Sequence, residues 1–328
     1  MFMILMFLGT IISISSYSWI NIWIGLELNL LAFIPVMNYD NFKYSSESSL
    51  KYFLVQVSAS TIILFSFINS FFSFYNIENL DSISMNLFNS AIFMKMGAAP
   101  FHFWYPEVIE GLSWINALIL MTWQKIAPMI LIMYNFKMNL FFILFILMSM
   151  MIGSLKTWNQ TSMKKILALS SINHIGWMLG MMMLNQSLWL IYFIIYSLIS
   201  FNMIFIFNKF KIYNIKNLFN LMNNNKSMKF FFFLNFLSLG GIPPFLGFLP
   251  KWLILKTLIE NEFIFIPMMM IFITLICLYI YIRLMIQSML IKMNEKKMII
   301  SNKIYYVNFL NWLNITGLII FTLILNIY

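Results

Sequence analysis

Apolar runs close to the length of a bilayer crossing recur along the whole chain, separated by short polar links. A helix rises about 1.5 Å per residue, so roughly 20 apolar residues cover the hydrocarbon core. This measure predicts about eleven spans, over residues 2–18, 20–38, 51–74, 87–104, 113–134, 139–157, 162–183, 187–207, 229–255, 263–290 and 305–327. Alternating polar and apolar positions, the mark of strands in a membrane barrel, are not found. In lipid every backbone N–H and C=O must be satisfied within a helix or a closed barrel. The predicted fold class is all-α, a polytopic transmembrane helix bundle that forms one membrane domain over residues 1–328.

Composition agrees with that pattern and removes the soluble classes. Of 328 residues, 62% are hydrophobic and 9% charged, and the mean hydropathy is +0.87; so little polar surface cannot cover a soluble globule. The first run, from Phe2 to Ser18, has no basic residue ahead of it and no small-residue cleavage site behind it. It is unlike a secretory signal or an Arg-rich transit peptide.

The net charge of +10 follows topology. With alternate links on opposite sides, Lys43, Lys51, Lys156, Lys164, Lys165, Lys209, Lys211, Lys216, Lys226, Lys229, Lys292, Lys296, Lys297 and Lys303 share the side of the amino terminus. Only Lys137 and Lys256 lie opposite. Basic links mark the cytoplasmic face or its organellar equivalent, so the amino terminus is expected there and the carboxyl terminus across the membrane. Lysines placed beside the bilayer imply no nucleic-acid partner.

Four ionisable residues fall well inside apolar spans: Glu27, Lys95, Lys125 and Lys251. Insertion scales put a central charge at about 2.5 to 3.5 kcal/mol, so four unpaired charges would cost roughly 10 to 14 kcal/mol, comparable to the stability of an ordinary domain. Buried pairs or neutral forms relieve that cost, and an amine whose partner moves can change protonation. His174 sits mid-span in Ser170-Ser171-Ile172-Asn173-His174-Ile175-Gly176-Trp177, among hydroxyls and an amide. Its imidazole is either a proton carrier or a hydrogen-bonded packing residue. His102 sits near a span end, where a structural role is expected, and Lys164 and Lys165 open the seventh span.

Helix breakers adjoin two of these lysines. Gly97 and Pro100 follow Lys95, while Gly240, Gly241, Pro243, Pro244, Gly247 and Pro250 precede Lys251. Discontinuous helices are predicted at both places, and non-helical backbone at membrane depth marks a polar cavity or a protein contact. A pair of such segments in the two halves of a chain points to an internal-repeat transporter. The lone Cys277 permits no disulfide within the chain and no cysteine-ligated iron–sulfur cluster. With no nucleotide fingerprint, no P-loop and no metal-ligand spacing, no cofactor is expected on this chain.

Several motifs together resemble one family, the antiporter-like membrane subunits of respiratory complex I in their shortened animal form. They are Trp23-Ile24-Gly25-Leu26-Glu27-Leu28-Asn29, Gly97-Ala98-Ala99-Pro100-Phe101-His102-Phe103-Trp104, Thr122-Trp123-Gln124-Lys125-Ile126-Ala127-Pro128, Asn159-Gln160-Thr161, the segment from Ser170 to Trp177, and the segment from Gly240 to Trp252. The resemblance implies an antiporter fold of inverted repeats without its first three helices. It implies a place in the mitochondrial inner membrane, amino terminus in the matrix and carboxyl terminus toward the intermembrane space. It also implies a core membrane-arm role in proton-translocating NADH:ubiquinone oxidoreductase. On the family pattern Glu27 and Lys95 form an interacting pair, Lys125 and Lys165 continue a polar axis, His174 stands along it and Lys251 ends it. Leu169 departs from the tyrosine that relatives often have. FMN, iron–sulfur clusters, NADH and ubiquinone are implied in partner subunits. The implied neighbours are the antiporter-like chain 4, the small chain 4L, accessory subunits and lipids such as cardiolipin. Two other readings of the buried charges stay open, a free-standing sodium–proton exchanger and a structural scaffold that clamps neighbouring pumps.

Overall fold

A computed structural model describes residues 1–39, 44–76, 78–135, 140–182, 185–224, 226–290 and 317. The secondary structure of these residues is helical, apart from turns and one isolated bridge between Ser162 and Asn214. The chain divides into two compact units, Met1–Phe145 and Ile146–Tyr328.

The first unit contains α1 (Phe2–Ser15), α2 (Trp19–Asn38), α3 (Ser45–Asn76), α4 (Glu78–Met96), α5 (Trp104–Gly111), α6 (Trp114–Met121) and α7 (Trp123–Tyr134). Helix α8 (Leu140–Leu155) runs across the division between units and ends in a 3₁₀ turn, Lys156–Asn159. The second unit continues with α9 (Met163–Met182), α10 (Gln186–Phe210), α11 (Ile215–Asn224), α12 (Lys226–Gly240), α13 (Phe248–Glu260) and α14 (Phe265–Leu290).

Among the described residues, six helical stretches are long and apolar enough to cross a membrane: Trp19–Asn38, Ser45–Phe71, Trp114–Tyr134, Leu140–Asn159, Gln186–Phe210 and Phe265–Ser288. The remaining expected spans differ for physical reasons. Residues 87–104 are the end of α4 and the irregular segment that leads to α5, residues 229–255 are two helices joined by such a segment, α1 has only 14 residues, and α9 carries buried polar side chains that lower its hydropathy. The expected span at 305–327 lies outside the described residues apart from Gly317.

In the first unit α1 and α2 cross at small residues. A Cβ at Gly25 would lie 2.5 Å from the Ser13 nitrogen, and one at Gly9 would lie 2.7 Å from the Asn29 nitrogen. Gly9 with Ser13, and Gly25 with Asn29, are spaced four residues apart on facing helix stripes, the close-packing device of membrane helices. In the second unit α9 is buried nearly all round, with only Lys165 of its twenty residues outside the buried set, so its Ser170, Ser171, Asn173 and His174 sit inside protein.

The two breaks are built alike. After α4, Gly97 adopts φ 73° and its N–H bonds the Met94 carbonyl at 3.2 Å, while the Ala98 N–H reaches Phe93 at 3.0 Å. After α12, Gly241 adopts φ 76°, bonding Ser238 at 3.1 Å, and the Ile242 N–H reaches Leu237 at 3.3 Å. Both are Schellman caps, in which a residue of left-handed conformation closes the last carbonyls. Counting on from each glycine, Pro100 pairs in register with Pro244, Phe101 with Phe245, and Pro106 with Pro250. The helices restart in the same register at Trp104 and Phe248. At the next matching position the charge is reversed, Glu107 in one and Lys251 in the other.

Gly97→Ala meets both the positive φ and a Cβ 3.0 Å from the Tyr105 side chain. Forcing an L side chain into that conformation costs about 1 to 2 kcal/mol. Thermal unfolding of the solubilised chain is expected to show a lower midpoint, and an unchanged midpoint would refute the assignment of this cap.

Candidate functional site

Buried lysines occur in both units, Lys95 and Lys125 in the first and Lys164 and Lys251 in the second. In the first, Lys95 occupies the last turn of α4 and is 7% exposed, and Lys125 occupies the first turn of α7 and is 0% exposed. Both line one cavity of about 20 Å³, which they share with Asn29, Tyr52, Gln56, Trp104, Tyr105 and Gln124. That volume admits about one water molecule. The cavity walls are held by polar contacts among five helices. Gln56 Nε2 donates to the Lys95 carbonyl at 3.2 Å, Gln124 Nε2 donates to Asn29 Oδ1 at 2.9 Å, and Trp104 Nε1 donates to the Met94 carbonyl at 3.2 Å. The Lys125 Nζ lies 5.4 Å from the centre of the Tyr105 ring, a cation–π distance.

Glu27 on α2 is half-buried, and its charge acts on both Lys95 and Tyr52. Its Oε1 is buried without a hydrogen-bond partner among the described residues. Glu27 and Lys95 therefore interact through the field and not as an ion pair in contact.

Lys125 follows a break that has neither glycine nor proline at its hinge. Residues 113–134, read from the sequence as one span, are α6 and α7, separated at Thr122 with φ −115° and ψ −73°. The Thr122 hydroxyl donates to the Leu118 carbonyl at 2.8 Å, which supplies a local partner where the ladder is disturbed.

In the second unit Lys251 lies in the first turn of α13 and is 7% exposed. Its ammonium donates to the Gly240 carbonyl at 2.7 Å and to the Leu239 carbonyl at 3.4 Å, the open C-terminal end of α12. Four carbonyls at a helix end lack intrahelical partners and carry the negative end of the dipole, so the break itself makes a cation seat. The same Nζ lies 5.7 Å from the centre of the Trp177 ring. Close by, Cys277 interacts with Lys251, Tyr281 and Asn173.

His174 is 6% exposed on α9, and its Nδ1 is 2.8 Å from the Tyr192 hydroxyl on α10. Its ring centre lies 5.0 Å from that of Tyr196, and Tyr196 in turn interacts with Ser171. Tyr192 and Tyr196 were not singled out in the sequence, although two tyrosines one helical turn apart in an apolar run were the available signal. At the start of α9 burial separates two adjacent lysines: Lys164 is 3% exposed with its Nζ 5.1 Å from the centre of the Tyr213 ring, while Lys165 is partly exposed. His102 is 1% exposed and its Nδ1 donates to the Pro100 carbonyl at 3.1 Å, within the first break. Among the described residues no three His, Cys, Asp or Glu side chains are grouped to hold a metal ion.

Residues 16–278 match the family model described as NADH:quinone oxidoreductase/Mrp antiporter, transmembrane. The protein named NADH-ubiquinone oxidoreductase chain 2 from Anopheles gambiae is 49% identical over 331 residues, covering 98% of this chain and 96% of that one. The chain therefore belongs to the NADH:quinone oxidoreductase/Mrp antiporter membrane family, among its members called NADH-ubiquinone oxidoreductase chain 2. The fold is also shared with more distant proteins. A chain of respiratory complex I from Thermus thermophilus superposes with TM-score 0.84 at 21% identity, covering 97% of this chain and 77% of that one. A chain of an archaeal membrane-bound sulfane sulfur reductase superposes with TM-score 0.84 at 16% identity, covering 99% and 73%.

Proposed function

We propose that this chain is a membrane-arm subunit of NADH:ubiquinone oxidoreductase in the mitochondrial inner membrane and carries protons on Glu27, Lys95, Lys125, Lys165, His174 and Lys251. Its amino terminus faces the matrix, as the lysine distribution implies. Its neighbours are other membrane-arm subunits, the antiporter-like chain 4 and the small chain 4L among them, and the flavin, iron–sulfur clusters and ubiquinone belong to partners.

The observation that carries this reading is the shared cavity of Lys95 and Lys125. Two buried amines on either side of room for one water give a proton two sites and a bridge. Glu27 supplies the control. A change in its charge or position alters the field at Lys95, and the proton affinity of that amine follows. Lys251, seated on helix-end carbonyls, holds an ammonium that a small shift of α12 against α13 would release. His174 can exchange a proton with the Tyr192 hydroxyl across their hydrogen bond. Moving one charge against 100 mV requires about 2.3 kcal/mol, equivalent to a change of under two units in proton affinity. Shifts of that size are ordinary for buried amines.

Lys95→Met and Lys125→Met, each in the assembled complex reconstituted into vesicles, test the reading. Proton translocation per NADH oxidised is expected to fall by at least half in both. Normal translocation in both variants would favour the scaffold, and sodium uptake by the isolated chain would favour the exchanger. Lys165 stands on the path by family pattern, while Lys164 is the buried member of the pair. Methionine at each in turn shows which of the two lowers translocation.

A further inference from the structure

The chain has a single arginine, Arg283, against a large excess of lysine. It lies on α14 between Tyr279 and Gln287, each one helical turn away, so the three share one stripe of that helix. Facing the stripe are the 3₁₀ turn Lys156–Asn159 and the residues that follow it, and between them lies a cavity of about 440 Å³. Asn159, Gln160 and Thr161 give this cavity a polar wall beside Arg283 and Gln287. Ile166, Ile215 and Leu284 give it an apolar one. The wall is pinned where the Ile215 N–H donates to the Thr161 carbonyl at 3.2 Å and the Met163 N–H donates to the Tyr213 carbonyl at 2.8 Å.

We propose that this cavity seats the phosphate headgroup of an anionic phospholipid, with Arg283 as its anchor. Four features favour that occupant. Arg283 is exposed and makes no ion pair among the described residues. Glu260 and Glu262 lie before the other end of α14, about 27 Å or more away along the helix. A guanidinium presents a planar fork that matches phosphate oxygens in pairs, and the neighbouring amides and hydroxyl offer further donors. Trp158 and Tyr279 pack ring to ring at 5.3 Å, 47% and 51% exposed, beside the cavity. Such aromatic pairs belong at the headgroup level of a bilayer. Finally, the apolar wall suits the first carbons of an acyl chain, which an inorganic anion would leave uncovered, and basic pockets between membrane helices on the lysine-rich side select acidic lipids. The site rests on Arg283 and the cavity, and it does not depend on the proton-carrying role of Lys165, the chain neighbour of Ile166 in its wall.

The full chain in mixed micelles, titrated with tail-brominated phosphatidylglycerol or tail-brominated phosphatidylcholine, tests the site through tryptophan quenching. The signal is the part that disappears in Trp158→Phe. The anionic lipid is expected to reach half-quenching at about fivefold lower mole fraction, the selectivity of one basic side chain near a membrane surface. Arg283→Gln is expected to remove that preference and Arg283→Lys to keep part of it. Equal quenching of the Trp158 signal by the two lipids would overturn the proposal, and that comparison needs no substitution at Arg283. A preference that persists in Arg283→Gln would overturn it too, as would one abolished by millimolar inorganic phosphate, which would make the site one for a free anion.

Discussion

Lys251→Met, placed in the assembled complex, is expected to leave the chain folded and to reduce proton translocation per electron by well over half. Methionine is close to lysine in length and suits the apolar contact with Trp177. It cannot donate to the Gly240 and Leu239 carbonyls, which then face a buried apolar side chain. Leaving a buried acceptor unmade costs about 1 to 3 kcal/mol, within the reserve of a packed membrane bundle. The lost function is the larger effect, because the seat at the end of α12 then holds no exchangeable proton. Lys256→Met is the matched control. Lys256 lies on the same helix, exposed and 3.8 Å from Glu260, and exposed pairs contribute about 0 to 1 kcal/mol. Measuring vesicle acidification alongside NADH oxidation decides the matter. Equal translocation in the two variants would remove Lys251 from the pathway.

Gly25→Leu is expected to abolish assembly. The crossing of α1 and α2 leaves no space for even one carbon, since a Cβ at Gly25 already falls 2.5 Å from the Ser13 nitrogen and 2.9 Å from the Gly9 carbonyl. Those are backbone atoms, so neither can rotate away. Overpacking costs about 1 to 3 kcal/mol where side chains can adjust, and more is expected here. The same shift moves α2, whose Glu27 acts on Lys95 and whose Asn29 accepts from Gln124, so a chain that did assemble would carry a displaced cluster. Leu28→Ile on the same helix, at a 38% exposed position, is expected to assemble normally. Assembly of both variants to the same level, read from the amount of intact complex on a native gel, would contradict the close crossing.

Some features were legible in the sequence because the residues that make them are chemically distinctive. A glycine followed three positions later by proline interrupts a helix wherever it stands, so the breaks after Lys95 and Lys251 were expected and are found at 97–103 and 241–247. The helical class followed from the run lengths. The break at Thr122 was not legible. Threonine sits readily inside membrane helices, and Pro128 in the same run suggests a disturbance further along. The second unit shows a different limit. Adjacent residues on a helix point about 100° apart, so Lys164 and Lys165 look alike in sequence until α9 is packed and one is buried. Partners such as Gln56, Tyr105 and Tyr192 come from helices remote in sequence, and an uncharged polar residue in an apolar run gives no sign of what it will meet. The seat of Lys251 depends on the carbonyls of Gly240 and Leu239. Backbone atoms have no identity in a sequence, so that arrangement had to be seen in three dimensions.

On the proposed proton path the small void between Lys95 and Lys125 would also act as a filter. A metal cation entering it would have to replace a shell of several waters with protein oxygens, in a space of about 20 Å³ lined by two amines and no carboxylate. A proton needs only a lone pair at each end and one water between them. Discrimination between the two carriers then needs no gate that recognises sodium. It follows from the size of the hole and from amines being its basic groups.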